Sequence, residues 1–295
     1  EAELFAGPGD VYLVSKRRPP DSHKGDFGSL LVVGGSEIYT GAPALTGMGA
    51  YSAGLDLVYV AAPETAASVI AGFSPSLITL KLKGKRVTSR NIRQLQPLLG
   101  RVDAVAVGPG LGLHEETVAA VDTFLGWVEE RQLPVLVDAD ALKGFAQRRR
   151  RLGTPTVFTP HGGEFRILTG RRAEGDFKER GKVVQAEARR LGATILLKGS
   201  VDVVSDGVRT RYNWTGNPGM TVGGTGDVLS GVTAAFMAMG SPPFEAAVAG
   251  AFINGAAGDA AYEEKGYHLL PIDLVERIPQ VMEDALVGRM RAVST

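Results

Sequence analysis

The segment "NPGMTVGGTGD" (217–227) ends on a carboxylate, Asp227, directly in front of the apolar run "VLSGVTAAFMAM". A helix beginning there has backbone N–H groups without intrahelical partners and about half a positive charge at its first turn. Glycine-rich backbone at that point can wrap an anion, so Gly223, Gly224, Thr225 and Gly226 form a candidate phosphate cradle. An aspartate repels a resting phosphate, and its presence needs a reason. A base that takes the proton of a hydroxyl attacking that phosphate is one, and such catalysis contributes about 10²–10⁴-fold. The N–H groups would stabilise charge on the transferring group. The plainer alternative is that Asp227 is only a first-turn acid favouring the helix dipole; the surrounding glycines favour the base.

Other chemistry-bearing residues follow short apolar runs: "GGS" (34–36), "GPGLG" (108–112), "DAD" (138–140), "TPHGGE" (159–164) and "KGS" (198–200). Lys198 after "TILL" is a cation suited to phosphate, or an ordinary surface lysine. His161 either touches a ligand or caps the helix that starts at "HGGEF". Glu164 either lies on a helix surface or helps organise a metal near phosphates, since Mg²⁺ often binds through few carboxylates and the phosphates themselves. Asp138 and Asp140 are open in the same way. Asn217 is expected to shape the turn before Pro218, and His23, His114 and His268 to lie on the surface. No Walker A pattern occurs: "GDFKERGKV" has the wrong spacing and no Ser or Thr after Lys182. "VAVGPGLG" lacks the third glycine of a dinucleotide fingerprint.

These residues need a frame. Apolar runs at 29–35, 55–63, 102–110, 133–140, 155–160 and 193–200 are mostly followed by helix-like segments. Continuous apolar strands alternating with helices predict a parallel sheet covered on both faces, an α/β fold of three layers, α/β/α. Ligands of such sheets bind at the C-terminal ends of the strands, where the polar and glycine-rich loops fall. "VDVVSDG" and "VRTRYNW" then predict a hairpin around Ser205–Gly207, and helices are expected over 224–239, 243–264 and 272–287. Residues 1–25, rich in Pro and charge, read as an arm or junction outside the core, and residues 26–295 as one domain.

Composition removes several function classes. The chain has 295 residues, 44% hydrophobic and 22% charged, as a folded enzyme does. Its 32 basic and 32 acidic residues balance, which gives no global attraction to nucleic acid. The basic runs at 15–20 and 148–151 are expected to be solvated surface. With no cysteine there is no disulfide, zinc–thiolate site or thiol nucleophile. No run is long and apolar enough for a membrane helix, and the expected setting is cytoplasmic.

Taken together, "KGDFGSLLVVGGSEIYTGAPAL", "VGPGLG", "LVDADAL", "TPHGGEF", "LLKGS" and "NPGMTVGGTGDVLSG" resemble the ADP-dependent NAD(P)H-hydrate dehydratases of the ribokinase-like superfamily, in order, from about residue 24 to 264. The resemblance implies a ribokinase-like fold with a mostly parallel central sheet. It implies dehydration of the (S)-hydrate of NADH or NADPH, with ADP consumed and AMP and phosphate released; eukaryotic relatives use ATP. It assigns the hydrate to Ala42, Gly110, His161 and Asp227, and adenylate to Lys198, Gly199, Ser200, Val201, Asp202 and Gly226. It also implies Mg²⁺, a homotetramer, and, from an N-terminus similar to the junction in bifunctional repair enzymes, fusion to an N-terminal epimerase. Gly162 stands where the family usually has Pro, and Thr221 where it has Ala. A small-molecule alcohol kinase of the same fold is the alternative activity, and a non-catalytic nucleotide-binding module the third reading.

Overall fold

The computed structural model describes residues 4–147 and 151–288. Nine strands form one sheet: β1 (Ser29–Val33), β2 (Leu57–Pro63), β3 (Ile78–Leu82), β4 (Ala104–Val107), β5 (Val135–Val137), β6 (Thr156–Phe158), β7 (Thr194–Leu197), β8 (Asp202–Ser205) and β9 (Thr210–Asn213). Their order is β3-β2-β1-β4-β5-β6-β7-β8-β9. Pairing is parallel from β3 across to β7 and antiparallel for β7–β8 and β8–β9. The β8–β9 turn is held by Asp206, whose Oδ1 accepts the N–H groups of Val208 (2.9 Å) and Arg209 (2.7 Å). The expected mostly parallel three-layer architecture is the one observed.

Strand alternation divides the core. Leu30, Val32, Val58, Val60, Leu136, Val157 and Leu196 face one layer, with α2 (Gly41–Ser52), α3 (Glu64–Ile70), α8 (Thr225–Ala238), α9 (Pro243–Lys265) and α10 (Pro271–Leu286). Leu31, Val33, Val105, Val137, Phe158, Ile195 and Leu197 face the other, with α4 (Glu115–Glu130), α5 (Ala139–Ala146), α6 (Gly162–Thr169) and α7 (Phe177–Leu191). Burial on both faces is why these strands read as continuous apolar runs.

Three elements escape the sequence reading. β3, "ITLKL", is the edge strand and buries only Leu82 fully, so its apolar signal is thin. α7 buries Val184, Ala188 and Leu191 beneath a strongly charged outer face, but is capped by Asp176, whose Oδ1 accepts from the backbone of Lys178 and Glu179. The expected arm is the third. Pro8–Val14 is a helix, α1, whose Val11 and Val14 are buried in the same cluster as α9 and α10. Two valines on one short helical face carry little signal between Pro- and charge-rich flanks. Ahead of α1, Ala6 donates to Tyr212 O (2.7 Å) and Tyr212 N–H to Leu4 O (3.1 Å), covering the outer edge of β9. Of the basic runs, residues 16–20 are exposed as expected; Arg148, Arg149 and Arg150 lie outside the described residues. No described helix is long and apolar enough to cross a membrane.

The helix that carries Asp227 is buried almost all round from Val228 to Ala238. Its small residues permit backbone contact with α2: a Cβ on Gly231 would collide with the carbonyl oxygen of Thr46, and one on Gly49 would stand 2.8 Å from Val228 O. This close approach fixes the starts of α2 and α8 side by side. Gly231→Ala gains helix propensity but forces the two backbones apart, and a net loss of about 1–3 kcal/mol is expected. A urea titration of both proteins checks this; an unchanged midpoint would mean that α2 and α8 are not packed backbone to backbone.

Candidate functional site

The first turn of α8 is built by its neighbours. Asn217 shapes the preceding turn as expected: its Oδ1 accepts from Gly219 N–H (3.0 Å) and its Nδ2 donates to Asp259 Oδ1 (2.9 Å) on α9. Asp259 Oδ2 also accepts from Gly216 N–H at 2.9 Å, so the loop is tied to the long helix beneath it. The Thr225 hydroxyl donates inward to Met220 O (2.8 Å), which leaves its backbone, not its side chain, to face a ligand. Gly224 caps the helix at φ +111°, where a Cβ would also stand 2.7 Å from Pro271 and 2.8 Å from Leu45. The glycines therefore serve both the turn and the close packing, and Asp227 N–H donates back to Gly224 O at 3.1 Å.

Lys198, at the end of β7, reaches the same place. Its Nζ would lie 3.3 Å from a Cβ on Gly226 and makes an ion pair with Asp138 Oδ1 at 3.2 Å. The other oxygen of Asp138, Oδ2, accepts the Ser230 hydroxyl at 2.7 Å. Asp138 is buried, and the Lys198 side chain is 23% exposed, so this is not a loose surface lysine. Burial works to lower the Lys198 pKa, but the charges of Asp138 and Glu164, the hydrogen bond to Asp138 and the charge of Asp227 hold it above the ordinary lysine value. Asp227 sits half-buried in this cluster. Burial, then the negative charge of Asp138, pushes its carboxyl up to about 7, with Lys198 pulling the other way and Glu164 and Asp140 adding to the rise.

The remaining expected residues line two sides. Ala42 lies in the first turn of α2, and Gly110 in the loop after β4; a Cβ on Gly110 would stand 3.5 Å from Ala42 Cβ and 2.8 Å from Tyr39 Cβ. Asp140 orders that loop by accepting Gly112 N–H at 2.9 Å and also takes Lys143 Nζ at 3.0 Å. Between Asp138 and Asp140, Ala139 is held at φ +49°, a left-handed conformation that costs a non-glycine residue about 1–2 kcal/mol.

On the other side, His161 caps α6: its Nδ1 accepts from Gly163 N–H (3.0 Å) and Glu164 N–H (3.4 Å), while Glu164 Oε2 accepts from His161 N–H (3.0 Å). Capping leaves the imidazole 59% exposed, with Nε2 3.5 Å from Glu164 Oε1, so cap and ligand contact are compatible. In the segment 198–202, Gly199 and Ser200 are exposed, but Asp202 closes the loop, accepting Gly199 N–H (2.9 Å) and Asn213 Nδ2 (3.0 Å). Burial drives its carboxyl up to about 6 against these hydrogen bonds and the charges of Lys198 and Arg180. His23, His114 and His268 are exposed, as expected. Ser230 was legible only as the residue three after Asp227, on the same helical face. Among the described residues no three His, Asp or Glu side chains gather as a metal cage.

A family model described as NAD(P)H-hydrate dehydratase matches residues 30–280. The bifunctional NAD(P)H-hydrate repair enzyme Nnr of Pyrobaculum aerophilum is 48% identical over 282 residues, 96% of this chain and 56% of that protein. The chain thus spans about half the length of that relative. The ADP-dependent (S)-NAD(P)H-hydrate dehydratase of Cenarchaeum symbiosum is 41% identical over 289 residues, 96% of this chain and 98% of that protein. Among solved structures, the ADP/ATP-dependent NAD(P)H-hydrate dehydratase of Bacillus subtilis, co-crystallised with ATP/Mg²⁺, superposes with a TM-score of 0.83 at 28% identity, over 96% of this chain and 99% of that one.

The raised Asp227 pKa has a consequence for stability. Between its ordinary value of 3.8 and the folded value of about 7, the folded state binds more protons than the unfolded one. Stability contributed at this position therefore falls as pH rises through that window. Asp227→Asn is expected to be more stable than wild type at pH 8, by roughly 1–3 kcal/mol, with the advantage vanishing as pH falls toward 4. Denaturant titrations at both pH values test it; equal stability at pH 8 would show that the carboxylate is not under strain.

Proposed function

The chain belongs to the NAD(P)H-hydrate dehydratase family, and from that premise we propose that it converts the (S)-hydrate of NADH or NADPH back to the reduced cofactor at the expense of ADP, with Asp227 as the base. The observation that carries the assignment is a half-buried carboxylate, raised to about 7, at the mouth of a glycine-lined helix start. A base with a pKa near the working pH combines a useful ionised fraction with real proton affinity.

The chemistry follows. Hydroxide is a poor leaving group and phosphate a good one. Asp227 takes the proton of the ring hydroxyl as its oxygen bonds to the β-phosphorus of ADP, and the bond to the bridging oxygen breaks, releasing AMP. The ring nitrogen lone pair then expels phosphate with the C–O bond pair, and loss of a proton from the adjacent ring carbon restores the double bond. The N–H groups at Gly223–Gly226 and the Lys198 ammonium balance charge on the transferring phosphoryl group. Gly199, Ser200, Val201 and Asp202 form the adenylate side; Ala42, Gly110 and His161 form the hydrate side. Mg²⁺, held by the phosphates with Glu164 nearby, would neutralise the nucleotide's charge. The relatives' bifunctional name supports a parent chain in which this unit, with α1 packed into its core, is joined to an N-terminal epimerase unit. A cytoplasmic homotetramer with Mg²⁺ is the family expectation carried with the reading.

Mixing the protein with hydrated NADH, Mg²⁺ and ADP is expected to restore the reduced-nicotinamide absorbance, with AMP and phosphate released in step. Asp227→Asn is expected to lose about 10²–10⁴-fold in kcat while still binding ADP. Accumulation of a stable phosphorylated product would assign the site to an alcohol kinase instead, and full activity of the variant would remove Asp227 as base.

A further inference from the structure

Lys198 stands among three carboxylates, Asp138 at the end of β5, Glu164 on α6 and Asp227 on α8, and Asp140 on α5 acts in turn on Asp227. A mobile ammonium among them would be drawn to whichever carboxylate is least engaged. That carboxylate is Asp227, for which no hydrogen bond or ion pair of the side chain occurs among the described residues, whereas Asp140 holds Gly112 and Lys143, and Glu164 holds the backbone and ring of His161. A lysine bound to Asp227 would occupy the oxygen that must take a proton, and would leave the phosphate cradle.

The ammonium does not go there. Its ion pair is with Asp138, and Asp138 is itself fixed, because Ser230 on α8 holds the second oxygen at 2.7 Å. The backbone behind Asp138 is fixed too: its N–H donates to Val107 O (3.0 Å), and Gly108 packs so closely that a Cβ there would collide with the carbonyl of Asp138. Lys198 is pinned at its own end by the hydrogen bond from its N–H to Pro160 O (2.9 Å). The result is an ammonium aimed beside Gly226, at the first turn of α8.

We infer that Asp138 and Ser230 form a clamp that positions Lys198 for the nucleotide phosphate and keeps it off the catalytic base. Asp138, with one oxygen on Lys198 and the other on Ser230, is a positioning residue that acts through Lys198. Asp138 and Lys198 meet across β5 and β7, and Ser230 ties the pair to the helix whose start they serve. The clamp separates two tasks that opposite charges at close range would otherwise cancel, a cation for the phosphate and an unpaired carboxylate for the hydroxyl. The inference rests on the dehydratase reading for the identity of the base, but not for the placement of Lys198.

Asp138→Asn is the direct test, because asparagine keeps the size and one acceptor but loses the charge. Two readouts are taken. Calorimetric binding of ADP needs no turnover, and the variant is expected to bind at least 10-fold more weakly than wild type while the KM for the hydrate changes little. In the pH profile of kcat/KM, the acid limb is expected to move to lower pH, since Asp227 both loses a negative neighbour and gains the freed lysine. A merely structural role for Asp138 would reduce the active fraction and leave the limb where it is. Ser230→Ala, which retains the charge but releases one oxygen, is expected to weaken ADP binding in the same direction by a few-fold, and serves if Asp138→Asn does not fold. Unchanged ADP affinity and an unmoved acid limb in a folded variant of either kind would overturn the clamp. Wild type that binds ADP but does not turn over the hydrate would count against the dehydratase reading alone, with the binding arm still deciding the clamp.

Discussion

A single ammonium held among carboxylates at the open end of a parallel sheet is the interaction around which this site is arranged. Those carboxylates come from three places, the β5–α5 junction for Asp138 and Asp140 and the starts of α6 and α8 for Glu164 and Asp227, so their convergence depends on the whole sheet being in register. Like charges gathered in a half-buried cleft oppose folding, and the cleft is tolerated because most of them are satisfied locally. Asp138 has Lys198 and Ser230, Asp140 has Gly112 and Lys143, and Glu164 has the capping interactions of His161. Asp227 lacks such partners among the described residues, and its pKa rises accordingly. The strain at the site is thereby concentrated on Asp227, the group proposed as the base.

The architecture supports this by bringing backbone to backbone where side chains would intrude. Gly231 and Gly49 let α8 lie against α2, and Gly224 lets the start of α8 sit against Leu45 and Pro271. Gly108 does the same between the loop after β4 and Asp138. These glycines have no chemistry of their own. They set how near α2 and the loop after β4 can approach the start of α8, and under the proposed reading that spacing governs whether a hydroxyl and a phosphoryl group can meet at Asp227.

Much of this was readable in the sequence because function and fold leave the same mark there. Apolar strands followed by polar, glycine-rich turns identify the parallel sheet and the edge where its loops gather, and "GGTGD" before an apolar run marks the start of the buried helix α8. The features that escaped are those whose signal is not local. β3 is short and half-exposed, α7 hides a narrow apolar stripe under charge, and α1 carries only Val11 and Val14 into the core. Within the site, the division of labour among the carboxylates was illegible, since nothing in "DAD" or "HGGE" says which oxygen meets which donor. Ser230 looked like one more small residue of a buried helix until the structure placed it on Asp138, and nothing in "KGSVD" says that Asp202 also ties down its own loop.

Burial and neighbouring negative charge hold Asp227 as a weak acid poised near neutrality. Carbon-13 labelling of the aspartate carboxyls, with Asp227→Asn to assign the resonance, would report its titration directly by NMR in the protein without nucleotide. The account predicts a midpoint near 7. A midpoint near 4, the ordinary range of an aspartate, would contradict it and leave the carboxylate as no more than an acid at a helix start.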